Sequence, residues 1–193
     1  MLLVICGPSG TGKGTVVDAL VAADPDLDVS RSWTTRPRRR READDAYEFV
    51  GRPQFEAAID AGHFLEWAEV FAGHLYGTPR PDPRSDRDLV LEIDVQGAAQ
   101  VRERVPGAVI VLLLPPDREE QARRLRRRGD LGGDLPERLA MAEAEEEAGR
   151  ALADHVVVNH DVAVAVEEVA GIVAAVRARE AARASPHEPT ESA

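Results

Sequence analysis

Short apolar runs alternate along this chain with longer stretches in which apolar residues recur every three or four positions. Runs such as Met1–Cys6, Asp88–Val95 and Ala108–Leu114 are typical of buried β-strands. Stretches such as Gly14–Ala23 and Val162–Arg183 are typical of amphipathic helices. Because strands and helices alternate along the chain, the pattern predicts an α/β fold with a parallel sheet flanked by helices.

The same reasoning predicts further elements between these. They are the strands Leu27–Trp33, Tyr47–Val50, Phe64–Val70 and His155–Val158, the helices Pro53–Ala61 and Pro136–Leu152, and helices that open near Gln96 and Asp117. In the third of these strands, alternation puts Glu66 on the opposite face from Leu65 and Trp67. Gly73–Thr78 is predicted to be a turn or loop, and the prolines after it exclude a regular helix through Arg84.

A glycine-rich turn joins the first strand to the first helix. It consists of Gly7, Pro8, Ser9, Gly10, Thr11, Gly12, Lys13, Gly14 and Thr15. The order of strand, glycine-rich turn, lysine and helix is that of a P-loop, in which backbone N–H groups and the helix N-terminus bind a polyphosphate. Lys13 is the only lysine among 24 Lys and Arg residues, which favours a role on the β- and γ-phosphates. An ordinary glycine-rich turn is the alternative.

One position departs from the usual P-loop pattern. Gly14 occupies the place where Ser or Thr normally follows the lysine, and Thr15 comes one residue later. Since the Ser/Thr hydroxyl of a P-loop usually binds Mg²⁺ directly, we expect Thr15 to hold the metal through water.

Charge and composition narrow the class of protein. The chain has 193 residues, 44% of them hydrophobic, which indicates one domain with a substantial core. A net charge of −11 argues against a large nucleic-acid surface, whereas arginines clustered at 36–41 and 118–128 indicate local anion sites.

A single cysteine, Cys6, excludes an intramolecular disulfide and favours the cytoplasm. No apolar stretch approaches the ~20 residues of a membrane span, and the polar tail 184–193 is predicted to be disordered.

Two acidic residues close the strand Asp88–Val95. Glu92 and Asp94 are two positions apart and therefore share a face near the strand's carboxyl end, where α/β proteins bind ligands. Asp94 is a candidate for the acid that positions magnesium in P-loop enzymes; a cap on the following helix is the alternative. Upstream, small hydroxyls at Ser30–Thr35 precede the arginines at 36–41, a combination suited to phosphate. A solvated charged loop is the alternative there.

Taken in order, these pieces resemble the guanylate kinase family of P-loop nucleoside monophosphate kinases. The resemblance covers roughly residues 2–176 and is carried by the fragments GPSGTGKGT, SRSWTTRP, YEFV, FLEWAEV, YGT, LEIDVQGA, RLRRRG and VVVN. It implies transfer of the γ-phosphoryl group of ATP to GMP with Mg²⁺ as cofactor. It also implies three parts, namely a core (about 1–31, 88–128 and 153–183), a GMP-binding subdomain (about 32–87) and an arginine-bearing lid (about 129–152). Monomer and homodimer are both compatible with the sequence.

The resemblance assigns roles residue by residue. The GMP site falls on Ser32, Arg36, Arg39, Tyr47, Glu66, Tyr76, Thr78 and Asp94. In it the arginines and tyrosines donate to the monophosphate, Glu66 accepts from guanine N1–H and the exocyclic amine, and Ser32 and Thr78 contact guanine O6 or N7. The residues expected to be catalytic are Lys13, Arg36, Asp94 and the lid arginines Arg124, Arg128 and Arg138. Asn159 is expected beside the adenine of ATP, and residues 129–137 are expected to close over the site and exclude water.

The chain departs from the family pattern in three places. It is one residue shorter between Glu42 and Tyr47, so Arg38 could replace Arg39; residues 79–87 are short and proline-rich; and the lid is one residue short. A sugar phosphate kinase, for example one acting on ribose 1,5-bisphosphate, is therefore an alternative, although it needs no guanine pocket. A non-catalytic interaction module is a second alternative, which an intact Lys13 argues against. The first strand is not followed by G-x-G-x-x-G, which argues against an oxidoreductase.

Overall fold

The computed structural model describes residues 1–39, 42–70, 73–128 and 135–184, with the side chains of Arg128 and Ala184 excepted. Its strands are β1 (Leu2–Cys6), β2 (Leu27–Val29), β3 (Trp33–Thr34), β4 (Glu48–Phe49), β5 (Phe64–Val70), β6 (His74–Pro79), β7 (Asp88–Glu92), β8 (Val109–Leu114) and β9 (His155–Val158). Its helices are α1 (Lys13–Ala23), α2 (Arg52–Asp60), α3 (Val95–Arg104), α4 (Arg118–Arg128), α5 (Leu135–Leu152) and α6 (Val162–Ala184).

Five strands form the predicted parallel sheet, in the order β2-β7-β1-β8-β9. The central strands β1 and β8 are apolar throughout, as expected of parallel strands with helices on both faces. Leu3 and Ile5 of β1 point to one face, where they pack in the same cluster as residues of α1 and α6. Val4 and Cys6 point to the other face, towards α3. The α/β fold predicted from the periodicity is therefore confirmed.

A second sheet, in the order β4-β3-β6-β5, is formed by the segment between β2 and β7. Its own small core joins α2 to the sheet through Phe55, whose ring stacks on Phe64 at 4.5 Å between centroids. The sheet is tied to the core by α3, since Gln100 Nε2 donates to the carbonyl of Trp67 over 2.7 Å and Arg104 donates to the carbonyl of Leu65. These bonds fix β5 against the core domain.

Two predicted elements are wrong. The run Leu27–Trp33 is not one strand, because its first residues pair with β7 in the large sheet while Trp33 pairs with β4 and β6 in the small one. Gly73–Thr78 is not a turn or loop but most of β6, which pairs antiparallel with β5 and β3. The two glycines and the polar residues of this segment are typical of a turn. The segment forms a strand because β5 and β3 pair with it on its two sides.

Two further predictions are corrected in detail. The strand Asp88–Val95 ends at Glu92, and Val95 already begins α3. In β5 the register shifts between Phe64 and Glu66, so Leu65 and Glu66 are both buried while Trp67 is 37% exposed. The predicted alternation therefore holds from Glu66 onward and fails at Leu65, where the pairing is irregular.

The other predicted helices and strands agree with the structure to within a few residues, and 80–87 is free of helix and strand as the prolines predict. Within the described ranges, no helix is long and apolar enough to cross a membrane. Ala184, predicted as the first residue of the tail, is instead the last residue of α6. Predictions for Arg40, Arg41, the glycine-rich segment 129–134 and residues 185–193 of the tail lie outside the described residues.

Candidate active site

A cleft of about 520 Å³ runs between the carboxyl ends of the core strands and the small sheet. Predicted site residues from both regions line it, namely Gly7, Ser9, Lys13, Gly14, Thr15, Ser32, Arg36, Arg39, Tyr47, Glu66, Tyr76 and Asp94. The rest of the P-loop, Thr78, Arg124, Arg138 and Asn159 are not among the lining residues, and the side chain of Arg128 lies outside the description. The two groups of residues, which are far apart in sequence, thus share one cavity.

The P-loop curls so that its lysine returns over its own first residues. Lys13 begins α1, and its Nζ donates to the carbonyls of Gly7 and Pro8 at 2.7 and 3.1 Å. Gly12, just before it, has φ = 94°, and a Cβ there would lie 2.6 Å from Asn159 Nδ2. Only glycine suits this position, because the backbone is left-handed and another side chain fills the space.

Two residues with predicted roles at the ATP site, Asn159 and Arg124, contact the P-loop at Thr11. Asn159 Nδ2 and Arg124 Nη1 each donate to the carbonyl of Thr11 over 2.9 Å. Arg124 also donates to the carbonyl of Asn159 at 3.0 Å and to Glu120 at 2.7 Å. Arg124 is therefore hydrogen-bonded to the loop itself, whereas Arg138, the last of the predicted lid arginines, lies near the start of α5.

Glu66 is a buried carboxyl group at the end of the cleft formed by the small sheet. It is only 3% exposed, and its Oε1 accepts a hydrogen bond of 2.5 Å from Thr78 Oγ1, which in turn lies 3.3 Å from Ser32 Oγ. Burial raises the pKa of Glu66 to about 7; the charge of Asp94 adds to this effect, and the Thr78 bond opposes it. Glu66 is therefore not a surface acid, although β5 is an edge strand of the small sheet.

A glycine of α3 makes room for this carboxyl group. A Cβ on Gly97 would lie 2.6 Å from Glu66 Oε2, a distance that real contacts do not reach. The backbone N–H of Gly97 donates to Asp94 Oδ1 over 2.8 Å, so Asp94 is the N-cap of α3. The capping role weighed as an alternative for Asp94 is thus present, and its carboxylate also lines the cleft.

Arg36 is nearly saturated with partners. Its Nε donates to Tyr76 Oη at 2.9 Å, and Nη1 donates to the carbonyl of Pro37 at 2.8 Å. The carboxylate of Glu42 accepts from Nη1 and Nη2 at 2.9 and 2.6 Å. Burial alone would lower the pKa of Arg36, but the bonds to Glu42 and Tyr76 outweigh it and the pKa is raised. A guanidinium has five N–H groups, and four of them are used here.

The two candidates for the second phosphate-binding arginine differ in position. Arg39 lines the cleft, and its backbone N–H donates to Glu42 Oε2 at 3.0 Å. Arg38 is not among the lining residues and pairs instead with Asp44. Tyr47, whose pKa is raised by burial, packs edge-on against Tyr76 with 5.9 Å between ring centroids. The geometry therefore favours Arg39 over Arg38.

Several residues that line or support the site are not predicted from the sequence. Glu42 pairs with Arg36, and Glu145 of α5 lines the cleft with a pKa raised by burial. Gln121 of α4 is fully buried and donates to the carbonyl of Ser9 over 2.8 Å. The pairing of Glu42 could have been found from its place beside an arginine run. Gln121 and Glu145 carry no such signal, because a polar residue in a charged helix usually faces solvent.

A parallel sheet whose first strand runs into a lysine-bearing P-loop, facing a cleft closed by a second small sheet, defines a P-loop kinase of small molecules. The profile of the guanylate kinase family, described as "Guanylate kinase", matches residues 1–176. The chain therefore belongs to the guanylate kinase family, as its motifs predicted.

Individual relatives agree. The chain is 44% identical to the guanylate kinase of Symbiobacterium thermophilum over 93% of its own length and 87% of the relative's. It is 48% identical to that of Alkalilimnicola ehrlichii over 83% of its own length and 81% of the relative's. The crystal structure of guanylate kinase from Anaplasma phagocytophilum superposes with a TM-score of 0.72 at 30% identity, covering 91% of this chain and 85% of that one. Neither a sugar phosphate kinase nor an interaction module is favoured by these similarities.

Proposed function

We propose that this protein transfers the γ-phosphoryl group of ATP to GMP, giving ADP and GDP. The observation that carries the proposal is the shared cleft, in which a P-loop with its lysine faces a buried Glu66. An oxygen of the GMP phosphate attacks the γ-phosphorus, and the bond from that phosphorus to the β–γ bridging oxygen breaks. Such a reaction needs alignment and charge neutralisation rather than covalent help from the protein.

The donor side is the P-loop. Its N–H groups and the N-terminus of α1 bind the phosphates of ATP. Lys13 moves from the carbonyls of Gly7 and Pro8, neutral acceptors that hold it beside the loop, to the more strongly charged β- and γ-phosphate oxygens. Asn159 and Arg124 support the loop at Thr11, and Arg128 and Arg138 supply further positive charge to the transferred group.

Glu66 recognises the guanine base. Its carboxylate accepts from N1–H and the exocyclic amine, two donors that adenine does not present together, while Ser32 and Thr78 contact O6 or N7. Because a buried carboxylate without donors is strongly disfavoured, the wrong base binds at a large cost. A sugar phosphate would not supply these two donors to Glu66, which argues against that alternative acceptor.

The phosphate of GMP is held by Arg36, Arg39, Tyr47 and Tyr76. Arg36 supports this role because it is only 9% exposed and Tyr76 orients its fork from one side. Since Glu42 occupies the paired Nη donors, the phosphate dianion takes the place of that carboxylate on binding. Arginine is suited to such an exchange, because carboxylate and phosphate both match its planar fork.

Hard oxygen donors suited to Mg²⁺ line the cleft, namely the Thr15 hydroxyl and the carboxylates of Glu92 and Asp94. The described residues contain no group of three His, Cys, Asp or Glu side chains that would bind a metal by itself. This arrangement fits Mg²⁺, which keeps several waters and takes substrate phosphates as ligands. Thr15, Glu92 and Asp94 would hold it through water, and its charge would neutralise the β- and γ-phosphates. We place the reaction in purine nucleotide metabolism in the cytoplasm.

The test is an assay of ADP release with ATP and Mg²⁺ in which GMP, dGMP, AMP, CMP, UMP and ribose 1,5-bisphosphate are offered in turn. Turnover is expected with GMP and to fall at least about a hundredfold in Lys13→Ala. Glu119→Gln, an exposed change on α4, is the matched control and is expected to retain activity. Turnover only with the sugar phosphate would overturn the guanine site while leaving the P-loop chemistry in place. No turnover with any acceptor would overturn the enzymatic proposal.

A further inference from the structure

Gln121 of α4 is a polar side chain that is 0% exposed. Its Nε2 donates to the carbonyl of Ser9 over 2.8 Å, and its Oε1 accepts from Arg118 Nη1 over 2.9 Å. A buried amide is unfavourable unless both ends are hydrogen-bonded. Leu125, one turn later on α4, packs against the P-loop with a purely apolar side chain. Packing alone therefore does not require an amide at position 121.

The bond to Ser9 determines the direction of a peptide group in the P-loop. In a planar trans peptide the C=O of one residue and the N–H of the next point in opposite directions. With the Ser9 carbonyl held towards α4, the N–H of Gly10 points away from the helix. The carbonyl of Thr11, held by Asn159 and Arg124, directs the N–H of Gly12 in the same manner. Backbone N–H groups that point into one concavity form an anion-binding nest, so the direction of the Ser9–Gly10 peptide affects anion binding.

The other end of Gln121 leads to α5. Arg118, which donates to Gln121, also donates to Glu146 Oε2 over 2.8 Å. Glu146 is in turn bonded to Arg150 at 2.8 Å. Glu146 and Arg138 both lie on α5, so a series of hydrogen bonds connects the P-loop to the helix that carries a proposed catalytic arginine.

We infer that Gln121 is a positioning residue for the phosphate donor, which orients the Ser9–Gly10 peptide towards the phosphates and links the P-loop to α5 through Arg118 and Glu146. The inference rests on the proposed function, because it takes the P-loop to be the ATP site. It differs from a packing role in that it concerns affinity for one substrate and not for the other.

Two variants separate the amide from its bulk. Gln121→Met keeps an unbranched side chain against Gly10 and removes both hydrogen bonds, whereas Gln121→Glu keeps an acceptor for Arg118 and loses the donor to Ser9. The matched control is Glu119→Met, which puts the same new side chain at an exposed position of α4. The measurements are the Kd of Mg·ADP by calorimetry, KM for ATP and GMP, kcat and Tm.

Both Gln121 variants are expected to raise the Kd of Mg·ADP and KM for ATP about five- to tenfold, with KM for GMP within about twofold of Glu119→Met. Gln121→Glu is expected to weaken ADP at least as much as Gln121→Met, since a carboxylate then faces the Ser9 carbonyl. Unchanged ADP affinity with a lower Tm, or equal losses for ATP and GMP, would overturn the inference. Since ADP binding does not depend on turnover, failure of the GMP kinase activity would be seen separately.

Discussion

The buried carboxyl group of Glu66 leads to a prediction about both function and stability. Its ionised form is needed to bind guanine but destabilises the folded protein. Burial raises its pKa from the ordinary 4.5 to about 7, so the folded protein holds the proton more tightly than the unfolded chain. The stabilisation from this proton is complete below about pH 4.5 and is lost as the pH rises through 7. At pH 8 the ionised form costs the folded protein about 3 kcal/mol. Glu66→Gln removes this ionisation.

The assay is urea unfolding of the protein without nucleotide at pH 5 and pH 8, for the wild type and Glu66→Gln. The stability of the variant relative to the wild type is expected to rise by about 2 kcal/mol from pH 5 to pH 8. Comparing two pH values cancels the pH-independent effect of fitting an amide beside Thr78. Glu69→Gln, an exposed change on the same strand, is the control and is expected to show no such rise.

Acceptor kinetics test the other half of the prediction. Guanine binds the ionised carboxylate, so kcat/KM for GMP in the wild type is expected to fall about tenfold per pH unit below pH 7. In Glu66→Gln, KM for GMP is expected to rise at least about a hundredfold, because an amide presents a donor to the donors of guanine. If the stability difference between Glu66→Gln and the wild type is the same at both pH values, ionisation of Glu66 does not destabilise the folded protein and the reasoning is refuted.

Three further variants test neighbouring contacts. Glu42→Gln weakens the pair that occupies Arg36, so KM for GMP is expected to fall severalfold; a rise would show that Glu42 is needed to hold the arginine in place. Asp94→Asn retains a capping oxygen for α3, so Tm is expected to change little, since Asn and Asp cap equally well. We expect kcat to fall about tenfold or more. A parallel loss of Tm and kcat would contradict a separate catalytic role. Gly97→Ala places a Cβ 2.6 Å from Glu66 Oε2, so KM for GMP is expected to rise about tenfold with KM for ATP unchanged; equal changes in both would point to a general distortion of α3.

Local sequence was sufficient for the features that depend on neighbours along the chain. The P-loop is a continuous segment whose glycines and lysine act through their own backbone, and the apolar runs of β1, β7 and β8 are buried on both faces wherever they sit in the sheet. The family motifs, including FLEWAEV with Glu66, were equally readable. These features predicted the fold, the family and many of the residues that line the cleft.

Only the tertiary structure decided which groups contact one another and what their surroundings do to them. Val29 and Trp33 belong to different sheets because their partners lie far along the chain. The buried position of the Glu66 carboxyl group depends on α3, because Gly97 leaves the space that the carboxyl group occupies. The amide of Gln121 reaches Ser9, 112 positions away. Periodicity carries no information about such partners, since hydrogen bonds and desolvation depend on distance in space rather than on separation in sequence.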